Sequence, residues 1–319
     1  MPRLAVLFEF PAYAIYRYLG LMIRLARDIK SWMKPAVTAF CIVCLVVFIH
    51  DISTSWHDVS TSIHSFFSKP WLVVTEVALM VLNIGVESVR WRCVRRVFTS
   101  GSWADDVKAS LRGVSLGNVT PGNVGEHVGR ASSYVEHGKA GMASVVSSVL
   151  QTGVISLLGV LACLRVSAAG VWNGDAEAVI GLSVLLAMLC LAIFCGRPLL
   201  RKVGAAGGSW RWLFAAAAIN ILKVLIFSFQ FALLLCDGEW PSALAFNATL
   251  FYYFLITVIP RVNLIDVGVK GGVAAWVFGR GLCEPSVINA AVVFIWVLNI
   301  VLPSIAGFIS LLTRRKASR

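Results

Sequence analysis

Apolar stretches recur along the whole of this 319-residue sequence, and they restrict its fold more than any other feature. A bilayer has a hydrocarbon core about 30 Å thick, which a helix of about 20 apolar residues can cross. Inside hydrocarbon the backbone must satisfy its own hydrogen bonds, as a helix does. We count eight apolar stretches, at about 35–50, 71–89, 109–122, 141–164, 178–196, 212–236, 243–280 with a break in it, and 286–312. The sequence therefore predicts an all-α polytopic membrane protein.

The composition predicts essentially no soluble domain beside these helices. Only 14% of the residues are charged, whereas a soluble domain carries roughly a quarter. No polar stretch reaches the roughly 100 residues of a separate globular domain, which argues against an attached soluble catalytic domain. We expect a basic amphipathic segment at 1–34 that lies on the membrane surface, a single integral membrane domain at 35–312 and a basic cytoplasmic tail at 313–319.

The net charge of +12 is explained by the excess of Lys and Arg that cytoplasmic loops carry. Six basic residues precede the first apolar stretch, and basic clusters follow at 90–96, 197–211 and 314–319. The segments 51–70, 165–177 and 237–239 are acidic or nearly neutral and suit the outside. We therefore expect a multi-pass protein of the bacterial inner membrane with both termini cytoplasmic. Membrane lipid headgroups, rather than nucleic acid, are the expected partners of this charge.

The alternation of charge leaves two apolar segments that cannot be full spans. Segment 97–140 must begin and end inside, and segment 237–285 must begin and end outside. Each is best interpreted as a re-entrant hairpin, which leaves about six transmembrane helices. The two halves then form an inverted repeat, an arrangement that in transporters places the substrate near the midplane where broken helices meet.

The tip of the first hairpin combines helix breakers with charged residues. Pro121 lacks a backbone N–H and Gly122 tolerates positive φ, so a helix should end there. A break at membrane depth is tolerated where it lines a cavity or is packed in protein. Glu126 and Arg130 stand four residues apart and can pair on one helix face. The candidate substrate-binding residues at this tip are Asn118, Thr120, Pro121, Gly122, Gly125, Glu126, His127 and Arg130.

The tip of the second hairpin has the same form. Pro260 breaks the helix, and Asp266 and Lys270 again stand four residues apart. The pairs Gly125/Gly129 and Gly268/Gly272 predict close approach of these short helices to their neighbours. The candidates at this tip are Pro260, Arg261, Asn263, Asp266, Gly268 and Lys270.

Charged residues at membrane depth usually face an interior or a wet cavity. We interpret the tips as a polar groove in which Arg130, Arg261 and Lys270 hold a phosphate, while Glu126 and Asp266 balance charge or contact an amine. The alternative is that each pair only neutralises itself and stabilises the fold. Glu87 and Arg90 are further candidates, with an interfacial ion pair as the simpler interpretation. Lys223 either snorkels towards the interface or takes part in function.

Two motifs resemble a known family. Thr120-Pro121-Gly122-x-x-Gly125-Glu126, with Arg130 downstream, is similar to the first signature of the transmembrane (flippase) region of lysylphosphatidylglycerol synthases. The run Asn83-x-x-x-Glu87-x-x-Arg90-Trp91-Arg92 also resembles that family. Its second signature has a Pro-Gly-Gly turn followed by Gly and an Arg-Glu pair. This sequence keeps Gly268 and a base at Lys270 but has Gly271 at the acidic position. The resemblance implies movement of lipid between leaflets by a stand-alone member without the soluble synthase domain.

We therefore expect a lipid flippase or transporter for an anionic or aminoacylated phospholipid or a lipid-linked substrate. A membrane-embedded headgroup or glycosyl transferase, with His127 and Glu126 as acid and base, is the second hypothesis, although no Asp-x-Asp cluster is present. The third is a non-transporting scaffold for a partner membrane enzyme. No cofactor is expected, and the absence of a nucleotide-binding loop argues against use of ATP. His50, His57 and His64 fit an amphipathic interfacial helix better than a metal site. Homo-oligomerisation stays open.

Overall fold

The computed structural model describes residues 35–36, 38–120, 123–170, 204, 210–259 and 266–317, and every regular element within these ranges is helical. The elements are α1 (Thr38–Thr54), α2 (Trp56–Ser68), α3 (Pro70–Arg95), α4 (Trp103–Val119), α5 (Val124–Ala131), α6 (His137–Ala168), α7 (Trp210–Leu235), α8 (Ala243–Val258), α9 (Asp266–Phe278), α10 (Pro285–Trp296), a π-helical turn (Val297–Val301) and α11 (Leu302–Ala317). The predicted all-α class is confirmed for this part of the chain.

Four helices of the described chain are long and apolar enough to cross a membrane: α3, α6, α7 and the continuous helix Pro285–Thr313. They match the predicted stretches at 71–89, 141–164, 212–236 and 286–312. A fifth crossing results if α1 and α2, which meet at a bend of 84°, are counted as one broken span. The predicted span at 178–196 and the predicted surface segment at 1–34 lie outside the described residues.

The outer surface of the helices is rich in large apolar side chains. Val46, Val74, Phe214 and Leu312 are each more than half exposed. Extended apolar surface of this kind marks a contact with other protein or with a membrane. Together with the long apolar helices, it is consistent with a protein that is surrounded by lipid.

Both predicted helix breaks are present in the described residues. Helix α4 ends at Val119, and Thr120 is extended with φ −115° and ψ 137°. Helix α8 ends at Val258, and Ile259 has φ −67° and ψ 123°. Each extended residue precedes a proline, whose ring disfavours helical backbone at the residue before it. The same local rule therefore ends both helices.

Helices α4 and α5 form a tight helical hairpin. Asn123 reverses the chain with a φ of 62°, in the left-handed region. A Cβ on Gly125 would lie 2.1 Å from the Leu116 carbonyl oxygen, and a Cβ on Gly129 would lie 2.3 Å from that of Arg112. The predicted close approach of the first glycine pair is therefore confirmed, since only glycine leaves room for the facing backbone.

The second hairpin, α8 and α9, uses its glycines differently. A Cβ on Gly268 would lie 2.4 Å from the Cα of Leu45, so α9 packs closely against α1. A Cβ on Gly271 would lie 2.2 Å from the ring of Phe48, which is also on α1. No described atom lies within 4 Å of the corresponding position on Gly272. The predicted close approach is thus confirmed at Gly268 and wrong at Gly272, because α9 turns Gly268 and Gly271, rather than Gly272, towards α1.

The helices of the two hairpins pack against the long helices in a regular pattern. Besides α4 with α5, the most extensive contacts join α3 to α7, α6 to α8, and α4 to α11. Gly159 brings α6 against Phe254 of α8, and Gly307 brings α11 against Ser115 and the Leu111 carbonyl of α4. The long helix that follows the first hairpin therefore contacts the first arm of the second, and the last helix contacts the first arm of the first.

The predicted amphipathic segment around His50, His57 and His64 is helical. Val59 and Phe66 of α2 are buried against the main hydrophobic core, whereas His57 and His64 are exposed. One face of α2 is therefore buried and the other exposed, as predicted for an amphipathic helix.

Candidate functional site

Glu87 lies at the centre of a buried network of charged side chains. Its carboxylate accepts hydrogen bonds from Arg90 at 2.7 and 2.9 Å, from Arg130 at 2.7 Å and from Lys223 at 2.7 Å. These bases come from three helices: α3, the short hairpin helix α5, and α7. A single carboxylate thus joins the first hairpin to two long helices.

The Glu87–Arg90 pair lies inside the helix bundle. Arg90 is completely buried and Glu87 is 6% exposed, so the pair is more than a surface ion pair. The remaining guanidinium donors of Arg90 reach α6, where they bond the Ser147 carbonyl at 3.1 Å and Gln151 Oε1 at 3.0 Å. The pair is buried because α6 and α7 pack over this face of α3.

Arg130 bonds both acidic residues of the network. It pairs with Glu126 one helical turn away, as predicted, and with Glu87. Nη1 donates to the Ser147 hydroxyl at 3.2 Å, and the guanidinium lies 4.9 Å from the centre of the Trp91 ring. Nε has no hydrogen-bond partner among the described residues. Arg130 is therefore held by groups from α3, α5 and α6.

Glycines on α4 create the space for these side chains. A Cβ on Gly113 would lie 2.9 Å from Cγ of Arg130, and a Cβ on Gly117 would lie 3.2 Å from Cβ of Glu126. Asn123 donates to Glu126 Oε2 at 3.0 Å. Contacts from both α4 and the turn before α5 thus position Glu126 and Arg130.

The side chain of Lys223 points towards Glu87 inside the helix bundle. Its ammonium bonds Glu87, and its side chain is only 18% exposed. Of the two sequence interpretations, the structure therefore contradicts simple snorkelling. Lys223 lines two neighbouring cavities.

The two cavities share part of their lining at Lys223. The larger, of about 200 Å³, is also lined by Gln151, Tyr253 and Lys270. The smaller, of about 130 Å³, is also lined by Glu87. Lys223, Phe227 and Asn299 belong to both cavities. They therefore form two parts of one region around Lys223, whose lining is mostly apolar with a few charged and amide side chains.

Asn299 reaches this region from a π-helical turn. The turn interrupts the last long helix at Val297–Val301, and Asn299 Nδ2 donates to Gln230 Oε1 at 2.8 Å. Such bulges inside α-helices often occur at functional sites.

The second hairpin contributes one base to the same region. Lys270 pairs with Asp266 at 2.9 Å, as the spacing predicts, and lines the larger cavity. Gly268 packs against α1 and does not line either cavity. Pro260, Arg261 and Asn263 lie outside the described residues, as do Pro121 and Gly122 of the first tip.

The remaining candidates of the first tip have structural contacts. Thr120 accepts the Gly125 N–H at 2.7 Å and donates to the Leu116 carbonyl at 2.8 Å, so it links the two arms. Asn118 donates to the Ser304 hydroxyl at 2.7 Å, and Gly125 contacts α4. His127 contacts Ser144 at 2.8 Å and lines a separate surface cleft. The structure therefore does not bring His127 into the Glu87 network.

A second buried network supports the base of the first hairpin. Asp106 accepts bonds from Arg95 and from the Tyr134 hydroxyl, which itself accepts from the Trp91 indole at 2.7 Å. Burial raises the pKa of Tyr134, and the bond to Asp106 adds to the effect. The hydroxyl therefore stays protonated as a donor. Trp91 connects this network to Arg130.

Several residues of the site escaped the sequence interpretation. Gln151, Gln230 and Asn299 are polar residues within long apolar helices, and that position is itself the available signal. The sequence predicts neither a helix break nor a pair of opposite charges beside these three residues. Their role depends on tertiary contacts.

Across the described residues, no group of three or more His, Cys, Asp or Glu could hold a metal ion. In comparisons with known proteins, no family model and no curated protein matches this chain. The site must therefore be interpreted from its own chemistry.

Proposed function

We propose that this protein moves an anionic or aminoacylated phospholipid, or a lipid-linked substrate, between the leaflets of a membrane. The headgroup passes beside Lys223 while the acyl chains stay in the bilayer. The observation that carries this proposal is the excess of basic groups around Glu87, next to the two cavities.

The charge balance favours an anionic ligand. Within the described part of the chain, Arg90, Arg130 and Lys223 share only two carboxylates, those of Glu87 and Glu126. Uncompensated charge at membrane depth is costly. A phosphate would supply the missing negative charge, and both guanidinium and ammonium groups bind phosphate through charge-assisted hydrogen bonds. Lys223 and Lys270, which face the larger cavity, are the groups best placed to receive it.

The packing pattern supports an inverted repeat as the framework for this movement. We propose that α3, the α4–α5 hairpin and α6 form one half, and that α7, the α8–α9 hairpin and α10–α11 form the other. In this scheme α3 corresponds to α7, α4 to α8, and α6 to α10–α11. The α6–α8 contact then corresponds to the α11–α4 contact, and the α3–α7 contact corresponds to itself. The hairpins would then be re-entrant from opposite sides, within a protein of about six transmembrane helices.

The resemblance to the flippase region of lysylphosphatidylglycerol synthases supports the same proposal. Its motif residues Glu126 and Arg130, on α5, meet Glu87 and Arg90, on α3, in one hydrogen-bonded network. The two separate motifs therefore meet at one place. We accordingly propose the bacterial inner membrane as the location, with both termini cytoplasmic.

The test is lipid movement in vesicles that contain the purified protein. Fluorescent phosphatidylglycerol in the inner leaflet becomes accessible to an external quencher only when it moves outward. We expect a rate well above that of protein-free vesicles, and about a tenfold lower rate for Lys223→Gln, which removes a base that faces both cavities.

Lys139→Gln is the matched control, since Lys139 is largely exposed and pairs with Glu136 outside the site. Its rate should equal that of the wild type. Lack of movement above protein-free vesicles for labelled phosphatidylglycerol, its lysyl ester and a lipid-linked sugar, with protein that remains folded, would refute the proposal.

A further inference from the structure

Glu76 is a buried acid that the Glu87 network does not use. It lies on α3, its exposed fraction is 0%, and neither carboxyl oxygen has a hydrogen-bond partner among the described residues. Buried polar groups are nearly always paired, and a buried unpaired carboxylate is especially costly. An acid kept at such a place calls for a functional explanation.

The groups beside Glu76 point to a proton as its ligand. Gln230 on α7 donates to the backbone carbonyl of Glu76 at 3.0 Å and also lies beside the carboxyl, which has no hydrogen bond of good geometry in the described chain. The Tyr253 hydroxyl on α8 is also buried without a partner in the described chain. A metal cation would need several oxygen ligands, whereas a proton needs only the carboxyl.

No basic group of the described helices neutralises Glu76. Arg90 and Lys223, the bases of α3 and α7 in the buried network, both bond Glu87. The other acidic, basic and histidine side chains on the helices that pack against α3 are exposed or bonded elsewhere. They are His57, Asp58 and His64 on α2, Asp105, Asp106, Lys108 and Arg112 on α4, His137, Lys139 and Arg165 on α6, and Arg211 on α7. The carboxyl is therefore dry and uncompensated when it is charged.

Glu76 is connected to the proposed lipid path through the α3–α7 interface. Glu76 and Glu87 are eleven residues apart, about three helical turns, so they lie on the same face of α3. Gln230 and Lys223 are seven residues apart, about two turns, on one face of α7. The antiparallel helices thus bring Glu76 to Gln230 at one level and Glu87 to Lys223 at another.

Asn299 of the π-helical turn also lies between the two levels. Gln230 accepts from Asn299, and Asn299 lines both cavities together with Lys223. A change at the Glu76 level that moves α7 relative to α3 would therefore also move Lys223 relative to Glu87.

We propose that Glu76 is a proton-binding site that couples a proton gradient to lipid movement, an inference that rests on the function proposed above. With its proton, the neutral carboxylic acid allows α3, α7 and α8 to pack closely. Loss of the proton to water leaves a carboxylate that must be hydrated, which opens this interface. Uptake and release exchange one proton with the aqueous phase, and no electron is transferred.

The test uses the same vesicles with and without a pH difference across the membrane. We expect the wild-type rate of phosphatidylglycerol movement to change several-fold when the gradient is imposed. Glu76→Gln, which resembles the protonated acid, should move lipid at a rate that the gradient does not alter. Glu136→Gln is the control, because Glu136 is an exposed carboxylate in the α5–α6 turn.

An infrared measurement tests proton binding without lipid movement. The wild type should show a carboxylic-acid C=O band that changes with pH and is missing in Glu76→Gln. Three results would overturn the coupling while the lipid function stands. They are a wild-type rate that the gradient does not alter, a Glu76→Gln rate that still depends on the gradient, and a wild-type rate that responds equally to a sodium gradient. Lack of any lipid movement would refute both, and the infrared band alone would then show whether Glu76 binds a proton.

Discussion

Glu87 is the common partner of several buried or partly buried basic side chains. Three bases from three helices bond its two oxygens, and the carboxylate is almost fully buried. A buried ion pair contributes little net stability when both partners are present, but removal of one partner leaves the other charged and unpaired. Stability should therefore depend on the balance of charge rather than on the number of bonds.

We predict that Glu87→Gln destabilises the protein by about 3–5 kcal/mol, because the buried Arg90 and Arg130 and the partly buried Lys223 then face only Glu126. The second change in Glu87→Gln/Lys223→Gln removes one of those bases, so the double variant should recover about 1–3 kcal/mol of this loss. Equilibrium unfolding in mixed micelles, followed by circular dichroism, measures both. Strictly additive effects of the two changes would show that the ammonium and the carboxylate do not interact.

The short helices owe their positions to local chemistry at their ends and to glycine on their faces. A residue before proline ends α4 and α8, and Ser102 with Asp105 forms a capping box that begins α4. These features are local, so the sequence alone predicts the breaks. Which glycine faces a neighbour depends on the rotation of the helix, and the spacing Gly268-x-x-x-Gly272 does not reveal it.

Helix α9 offers a matched pair of substitutions. We predict that Gly268→Ala costs about 1–3 kcal/mol, since its methyl group would collide with the backbone of α1 at Leu45. Gly272→Ala has open space around it and should be neutral or stabilise the helix by about 0.5–1 kcal/mol. Thermal unfolding of both variants in the same detergent gives the comparison. Equal losses would contradict the observed packing of α9 against α1.

At the scale of the whole molecule, each hairpin packs against a long helix from a distant part of the chain. Helix α6 packs on α8, and α11 packs on α4, through Gly159 and Gly307 respectively. Helix α6 also contacts α5, so it touches both hairpins. In the lipid movement proposed above, a shift of one hairpin would therefore reach the other.

The proposed topology predicts that the bases of the hairpins lie on opposite sides of the membrane. In a variant without native cysteines, Val135→Cys and Glu284→Cys place single thiols at exposed positions beside the first and second hairpins. An impermeant maleimide should label Glu284→Cys from the outside of intact cells and Val135→Cys only in inverted vesicles. Labelling of both from one side would rule out the inverted repeat.

Features that depend on neighbours along the chain were predictable from the sequence. The apolar stretches predicted the long helices, the prolines predicted the breaks, and the four-residue spacing predicted the Glu126–Arg130 and Asp266–Lys270 pairs. The helical backbone itself brings residues four apart together, so no tertiary information is needed for such pairs.

The tertiary structure alone decided where these pairs lie and which further groups join them. Glu87 meets Arg130 across 43 residues of sequence and Lys223 across 136. The tertiary structure also left the carboxyl of Glu76, eleven residues away on the same face of α3, without a hydrogen-bond partner in the part of the chain that the structure describes. Long apolar helices can pack in many rotations and registers with similar burial, and the contacts between distant helices select one of them.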